Sequence, residues 1–144
     1  MKRDEPFNPS VKSSAAPAGL LFRLAEARDI AAVARMMGER NPLTEPSVVL
    51  AKTENEIRLN VSTPDYRLFV ADLDGRIVGF SRHFHSGGLP PERKIYSAPE
   101  GWYAMGLLVD SSLRRQGIAG FLFENRLEAL RSQGAHWLCA DTLP

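Results

Sequence analysis

Cysteine, net charge and long hydrophobic runs are all scarce in this sequence. A single cysteine among 144 residues excludes an intramolecular disulfide and a cysteine-rich zinc module. The formal net charge of +1 argues against a dedicated nucleic-acid binder, because such proteins carry strongly basic patches. No apolar run approaches the roughly 18 residues of a membrane span, and no apolar stretch follows Lys2 and Arg3 as in a signal peptide. We therefore expect a cytoplasmic protein with no nucleic-acid or membrane partner.

What the sequence does contain fits one globular domain preceded by a tail. Hydrophobic residues make up 44% and charged residues 24% of the chain, as in ordinary soluble domains. Residues 1–18 are rich in proline and serine and poor in large apolar side chains, which predicts a flexible tail. The remaining residues, 19–144, are numerous enough to bury a hydrophobic core.

The N-terminal half of this domain predicts a strand, two helices and a hairpin. A strand over 20–24 precedes Asp29, an expected N-cap, and the helix after it is expected to end at Gly38. A second helix is predicted from about Ser47 to Val61. Strand-like runs over 68–71 and 77–80 enclose Asp74-Gly75, a typical hairpin turn. The spacing of apolar residues places these side chains inward: Ile30, Val33, Ala34 and Met37 on the first helix, and Leu50, Ile57 and Val61 on the second.

The C-terminal half predicts a strand–helix–strand unit. The run Trp102–Val109 is apolar throughout, which predicts a strand buried on both faces. A loop over 86–99 precedes it. A polar turn and a helix from Gly117 to Arg131 follow, then a last strand over Ala135–Ala140. The expected inward residues of this helix are Ala119, Leu122, Phe123, Leu127 and Leu130. Since such a unit is a right-handed parallel crossover, the predicted fold class is α/β, of the α+β type: a mixed, mostly antiparallel sheet with helices packed on it.

The segment Leu107–Gly120 carries the clearest functional signal, because a buried strand leads through an arginine- and glycine-bearing turn into a helix. The amides and dipole of a helix N-terminus favour a phosphate or pyrophosphate. Gly117 lets the backbone approach such a ligand without a Cβ, and Arg114 and Arg115 add positive charge. The same residues also fit an ordinary turn with two solvated arginines. P-loop and dinucleotide glycine motifs are absent from the sequence. The G-x-x-G pattern that begins at Gly117 matches the loop of KH nucleic-acid modules. That loop joins two helices, whereas here a predicted strand lies just upstream.

The pattern Arg114-x-x-Gly117-x-Ala119, after a strand that ends at Asp110, resembles the signature of the GNAT superfamily of N-acetyltransferases. The order of elements over residues 20–140 resembles that fold as well. The resemblance implies that acetyl-CoA, and no metal, lies between the fourth and fifth strands and gives its acetyl group directly to a neutral amine. It implies a pantetheine arm along Leu107, Leu108 and Val109, with an N–H of Leu108 or Val109 steadying the oxyanion. The implied pyrophosphate site consists of Arg114, Arg115, Gln116, Gly117, Ile118, Ala119 and Gly120.

The proton transfers and the amine acceptor need further residues. Some members of the superfamily carry a glutamate base on the fourth strand, and the corresponding residue is Tyr103, a candidate to relay a proton through water or else a core aromatic. Glu39 and Glu45 flank the connection that lines the acceptor site in that family, where a carboxylate binds a cationic amine or is simply solvated. His83 and His85 share one face of a strand, which we expect to be polar. Cys139, Trp102 and Trp137 are expected in the core, or, for Trp137, beside the CoA opening.

The chain ends soon after the fifth strand, where the superfamily usually continues with a helix and further strands. We expect a second copy to cover the exposed edge of that strand and so form a homodimer. The predicted function is acetyl transfer from acetyl-CoA to a primary amine of a small molecule or peptide. The alternative is an incomplete, non-catalytic domain that holds CoA or a partner.

Overall fold

The computed structural model of the chain describes residues 16–88, 99–136 and 138–140. The predicted tail over 1–18 therefore lies almost wholly outside the described residues, as do Trp137 and most of the predicted loop over 86–99. No helix in the described part of the chain is long and apolar enough to cross a membrane.

A five-stranded sheet with sequential strand order forms the centre of the fold. Its first four strands pair antiparallel, and the fourth and fifth pair parallel, as the sequence predicts. The strands are β1 Leu20–Leu24, β2 Tyr66–Leu73, β3 Arg76–His85, β4 Trp102–Val109 and β5 Cys139–Ala140. Asp74 and Gly75 both have positive φ, 51° and 93°, which is the geometry of the tight hairpin turn predicted for them.

Three helices of the described chain cover the two faces of this sheet: α1 Ile30–Arg40, α2 Pro46–Ser62 and α3 Ile118–Ser132. The first two pack with Leu68, Val70 and Phe80 on one face. On the other face α3 packs over Phe22, which stacks on Phe69 with ring centroids 4.4 Å apart. Gly134, with φ 82°, ends α3 as predicted, and the Ala135 amide donates back to the Leu130 carbonyl at 3.0 Å. That bond holds Ala135 at the helix end, so the last strand begins later than predicted.

The predicted start of α1 is confirmed, since Asp29 occupies the N-cap position before Ile30, but the predicted end is wrong. Asp29 lies in a short 3-10 turn and does not cap α1 with its side chain; its carboxylate instead accepts the Glu26 amide at 2.8 Å and pairs with Arg23 at 2.7 Å. Gly38 keeps a helical conformation, so α1 continues to Arg40. The helix ends where the Asn41 side chain donates to the Met37 carbonyl at 2.9 Å.

The predicted inward faces of α2 and α3 are partly wrong: Ile57, Leu122 and Leu130 are buried as predicted, but other predicted positions are not. Leu50 and Val61 are 41% and 88% exposed. Polar residues occupy the buried face of α2 because distant groups satisfy them: Glu56 pairs with Arg82 at 2.9 Å, and Asn60 holds the Leu68 amide and carbonyl at 2.7 and 2.9 Å. On α3, Ala119 and Phe123 are exposed and Leu127 is half-buried, whereas the buried side chains are Ile118, Phe121, Leu122, Asn125, Arg126, Ala129 and Leu130.

β4 is only partly buried, contrary to the prediction of burial on both faces. Within the described residues, β5 pairs with β4 only at Tyr103 and Ala104. A register shift also leaves two β4 residues, Met105 and Gly106, opposite the single residue Arg82 of β3. The edge of β4 beyond these positions therefore has no described strand partner, and Leu107, Leu108 and Val109 are half-buried.

Candidate functional site

A cleft of about 370 Å³ opens where β4 ends and α3 begins. It brings together most of the residues that the sequence proposes for the cofactor, although Gln116 and Gly120 are not among those lining it. Arg40 and Leu113 also line the cleft, and sequence reasoning missed both. The lining residues are Arg40, Leu107, Leu108, Val109, Leu113, Arg114, Arg115, Gly117, Ile118 and Ala119.

The main chain at the end of β4 alternates between two edges of the strand. The Asp110 amide donates to the Val78 carbonyl of β3 at 2.8 Å. Because N–H direction alternates along a strand, the Leu108 amide also faces β3, whereas the amides of Leu107 and Val109 face the edge that has no described partner. The cleft is therefore bordered by main-chain groups able to bond an extended ligand.

Asp110 anchors the turn between β4 and α3. One oxygen of its buried carboxylate accepts the Ser112 amide at 3.0 Å and the Ser112 hydroxyl at 2.8 Å. The other pairs with Arg35 of α1 at 3.1 Å and Arg76 of β3 at 3.3 Å. The Ser112 hydrogen bonds, supported by Arg35, hold the pKa of this carboxyl well below its usual range, although burial opposes the shift. The turn is thus tied to both neighbouring elements.

The turn ends with a left-handed residue at the start of α3. Gly117 precedes the helix with φ 79°, a conformation that costs a glycine little. The first helical amide to bond back is that of Phe121, which donates to the Gly117 carbonyl at 3.0 Å. The amides of residues 117–120 are therefore left at the positive end of the helix without an intrahelical acceptor. Such a helix start favours an anion.

Three arginines add formal positive charge to the cleft. Arg114 and Arg115 come from the turn, and Arg40 is the last residue of α1. Among the residues the structure describes, none of the three has an ion pair, unlike Arg35, which pairs with both Glu39 and Asp110. An apolar strand end beside an uncompensated cationic pocket suits a ligand that has an extended arm and several phosphates.

The other candidates lie outside the lining of this cleft. The Tyr103 hydroxyl donates to the Pro99 carbonyl at 2.5 Å, and its ring stacks on Phe84 with centroids 5.6 Å apart. Glu39 pairs with Arg35 at 3.1 Å on the surface of α1. Glu45 is exposed immediately before α2.

His83 does not lie on a polar face as expected, because the whole residue is buried. Its ring contacts those of Phe69 and Trp102, at centroid distances of 5.8 and 5.6 Å, and Nε2 is 2.9 Å from Gln133 Oε1. Since the Gln133 amide nitrogen donates to the Pro64 carbonyl, its oxygen faces the ring and Nε2 carries the proton. Burial lowers the pKa of His83 to about 4, against the opposing effect of the Gln133 bond.

Metal ligands do not cluster in the described chain: no group of three or more His, Cys, Asp or Glu side chains there could hold an ion. Within β5, Cys139 is the register partner of Tyr103.

Solved structures with this fold include several acetyltransferases. Aminoglycoside N-acetyltransferase AAC(6')-Iy, in complex with CoA, superposes with a TM-score of 0.67 at 18% identity, over 87% of this chain and 78% of that one. Ribosomal-protein-alanine N-acetyltransferase from Brucella melitensis biovar Abortus 2308 gives 0.63 at 18% identity, over 86% and 80%. Aminoglycoside acetyltransferase HMB0005 from an uncultured soil metagenomic sample gives 0.63 at 19%, also over 86% and 80%. No curated protein sequence gave a match.

The sheet, its helices and these similarities define the acyl-CoA N-acyltransferase fold. The family model for the acetyltransferase (GNAT) family matches residues 32–143, and the chain belongs to that family.

Proposed function

We propose that this chain transfers the acetyl group of acetyl-CoA to a primary amine of a small molecule or peptide, by direct attack of the neutral amine in a ternary complex. The observation that carries the proposal is the cleft at the end of β4, where an apolar strand end meets a helix N-terminus and arginines without described acidic partners. The cationic end suits phosphates. The β4 edge suits an extended arm with amide groups.

Within this proposal each part of the cleft has a role. Leu107, Leu108 and Val109 hold the pantetheine arm, and Arg114 through Gly120 hold the pyrophosphate. Acetyl-CoA, when bound, supplies the activated thioester. Of the two amides that the resemblance offers for the oxyanion, that of Val109 is the better placed, because the Leu108 amide faces β3.

A second candidate function follows from the proton transfers that the reaction requires. The reaction needs a deprotonated, neutral amine as the nucleophile and a proton donor for the leaving thiolate. Tyr103 stays our candidate for a water-mediated relay, yet its hydroxyl proton is directed at the Pro99 carbonyl. That contact favours the alternative, a domain that holds CoA or a partner chain without turnover.

An assay of thiol release from acetyl-CoA with a panel of amines separates the two, with intact-mass detection of the products. We expect a mass increase of one acetyl group on at least one amine, lost in Gly117→Asp and kept in Arg58→Gln, a surface change on α2. CoA binding with no acetylated product would favour the non-catalytic domain. Absence of both binding and product would refute the two functions together.

The domain limits, compartment and assembly of the chain are also part of the proposal. We take residues 19–144 as one acetyltransferase domain after an N-terminal tail, acting in the cytoplasm as a homodimer. Light scattering of the purified chain checks the dimer, and a monodisperse monomer would contradict it.

A further inference from the structure

Arg40 belongs to a different part of the chain from the other arginines of the cleft. It ends α1, which packs on the sheet face opposite to α3. Arg114 and Arg115 lead into α3. The cleft residues between them also divide between the two faces: Leu108 packs with the α1 and α2 core, while Leu107 and Val109 pack with the α3 core. Arg40 therefore reaches the cleft from the sheet face opposite to α3.

Nothing in the described part of the chain neutralises Arg40. Its helix neighbours Arg35 and Glu39 pair with each other at 3.1 Å, and Arg35 also reaches Asp110. The negative end of the α1 dipole favours a cation at a last-turn position, but this effect does not require the side chain to line a cleft beside Arg114 and Arg115. Three cations in one cleft repel one another, and a bound polyanion removes that repulsion.

We infer that Arg40 is a phosphate-binding residue for acyl-CoA, contributed by α1 from outside the β4–α3 segment. The inference rests on the proposed function. A guanidinium suits this role because its planar N–H groups match the oxygens of a phosphate two at a time. The ligand carries a pyrophosphate and a ribose 3′-phosphate, and the same chemistry recognises either of them.

Binding through Arg40 has a consequence for the connection between α1 and α2. The main-chain amide of Asn41 holds the last turn of α1 by donating to the Met37 and Gly38 carbonyls. The main-chain amide of Thr44 then donates to the Asn41 carbonyl at 3.0 Å. A phosphate fixed by Arg40 restrains this turn. Amide exchange over residues 40–45 should therefore slow when CoA binds, although this segment lies outside the β4–α3 motif.

Calorimetric titration with CoA tests the inference on wild type, Arg40→Gln, Arg40→Lys and the control Arg58→Gln. Arg58 is also an exposed helical arginine, and it contacts Glu54 on α2 away from the cleft. We expect Arg40→Gln to weaken CoA binding about ten-fold or more, Arg40→Lys to weaken it less, and Arg58→Gln to stay within about two-fold. Melting temperatures of the two glutamine variants should be similar, since Arg40→Gln loses only an exposed helix-dipole interaction and Arg58→Gln only an exposed ion pair.

A second titration with 3′-dephospho-CoA identifies the phosphate. If Arg40→Gln still weakens binding, Arg40 contacts the pyrophosphate; if the difference disappears, it contacts the 3′-phosphate. The inference is overturned if Arg40→Gln and Arg58→Gln bind CoA equally, or if CoA slows exchange over 40–45 equally in wild type and Arg40→Gln. Failure of the wild type to bind CoA would instead overturn the proposed function and, with it, the basis of this inference.

Discussion

Replacing Asp110 with alanine should destabilise the fold by about 2–3 kcal/mol, and the figure follows from the four contacts of its carboxylate. Loss of the acceptor for the Ser112 amide and hydroxyl is comparable to loss of a helix cap, about 1 kcal/mol. The contacts with Arg35 and Arg76 involve half-exposed guanidinium groups, so each contributes about 0.5–1 kcal/mol. The main-chain bond from Asp110 to Val78 is unaffected by the substitution.

Asp110→Asn separates the two kinds of contact. It keeps one oxygen for Ser112 but replaces the other with an amide that donates, facing two guanidinium groups. We therefore expect a loss of about 1–2 kcal/mol. Urea unfolding at pH 7 measures both variants. If both unfold within about 0.5 kcal/mol of wild type, the network does not hold the turn and the reasoning is wrong.

The pH dependence of the same network provides an independent check. The Asp110 pKa lies below its ordinary value of 3.8 in the folded chain. Its contribution is therefore fully present above that value and is lost as the pH falls from 3.8 toward the lower folded pKa. Wild type should lose stability more steeply than Asp110→Asn in this acid range. Parallel acid limbs for the two proteins would contradict the assignment.

Three further predictions concern other single residues. Gly117→Asp should abolish CoA binding, whereas Gly117→Asn, which tolerates the same positive φ without a charge, should only weaken it; equal affinity for Gly117→Asp and wild type in calorimetry would exclude an anion at this helix start. The low pKa of His83 means that the unfolded chain takes up its proton first, so wild type should lose up to about 3 kcal/mol relative to His83→Leu between pH 6.5 and 4. A constant difference in unfolding free energy across that range would contradict a buried neutral His83. Gly79→Ala places a Cβ 2.8 Å from the Leu108 carbonyl oxygen and 2.9 Å from Leu122 Cδ1, which should cost about 1–3 kcal/mol in urea unfolding and weaken CoA binding. A variant that unfolds like wild type would show that the strands separate without cost.

Local signals in the sequence predict β1, β4 and the hairpin turn well, because each depends on neighbouring residues. The bounds of β1 and β4 agree with the prediction, Asp74-Gly75 forms the turn, and Gly134 ends α3. These features follow from the pattern of apolar residues in a strand, from glycine at a positive φ and from the glycine that ends a helix. Each of these signals is contained within a few neighbouring residues.

Features that depend on contacts between distant parts of the chain could not be predicted from local sequence patterns. Glu56 and Asn60 occupy the buried face of α2 only because Arg82 and the Leu68 main chain satisfy them, and a rule based on hydrophobic periodicity assigns that face to Leu50 and Val61 instead. The half-buried state of β4 depends on where β5 pairs with it. Arg40 carries no local signal, since it reaches the cleft through the packing of α1 against the sheet.

The proposed acyl-CoA site is tested most directly by a melting curve of the wild-type chain with and without CoA. At a CoA concentration 100-fold above its dissociation constant, binding should stabilise the fold by about 2.7 kcal/mol. For a domain of this size the melting temperature should then rise by roughly 5–10 °C. Gly117→Asp should show no rise under the same conditions. An unchanged melting temperature of the wild type at millimolar CoA would contradict the assignment of the cleft to acyl-CoA.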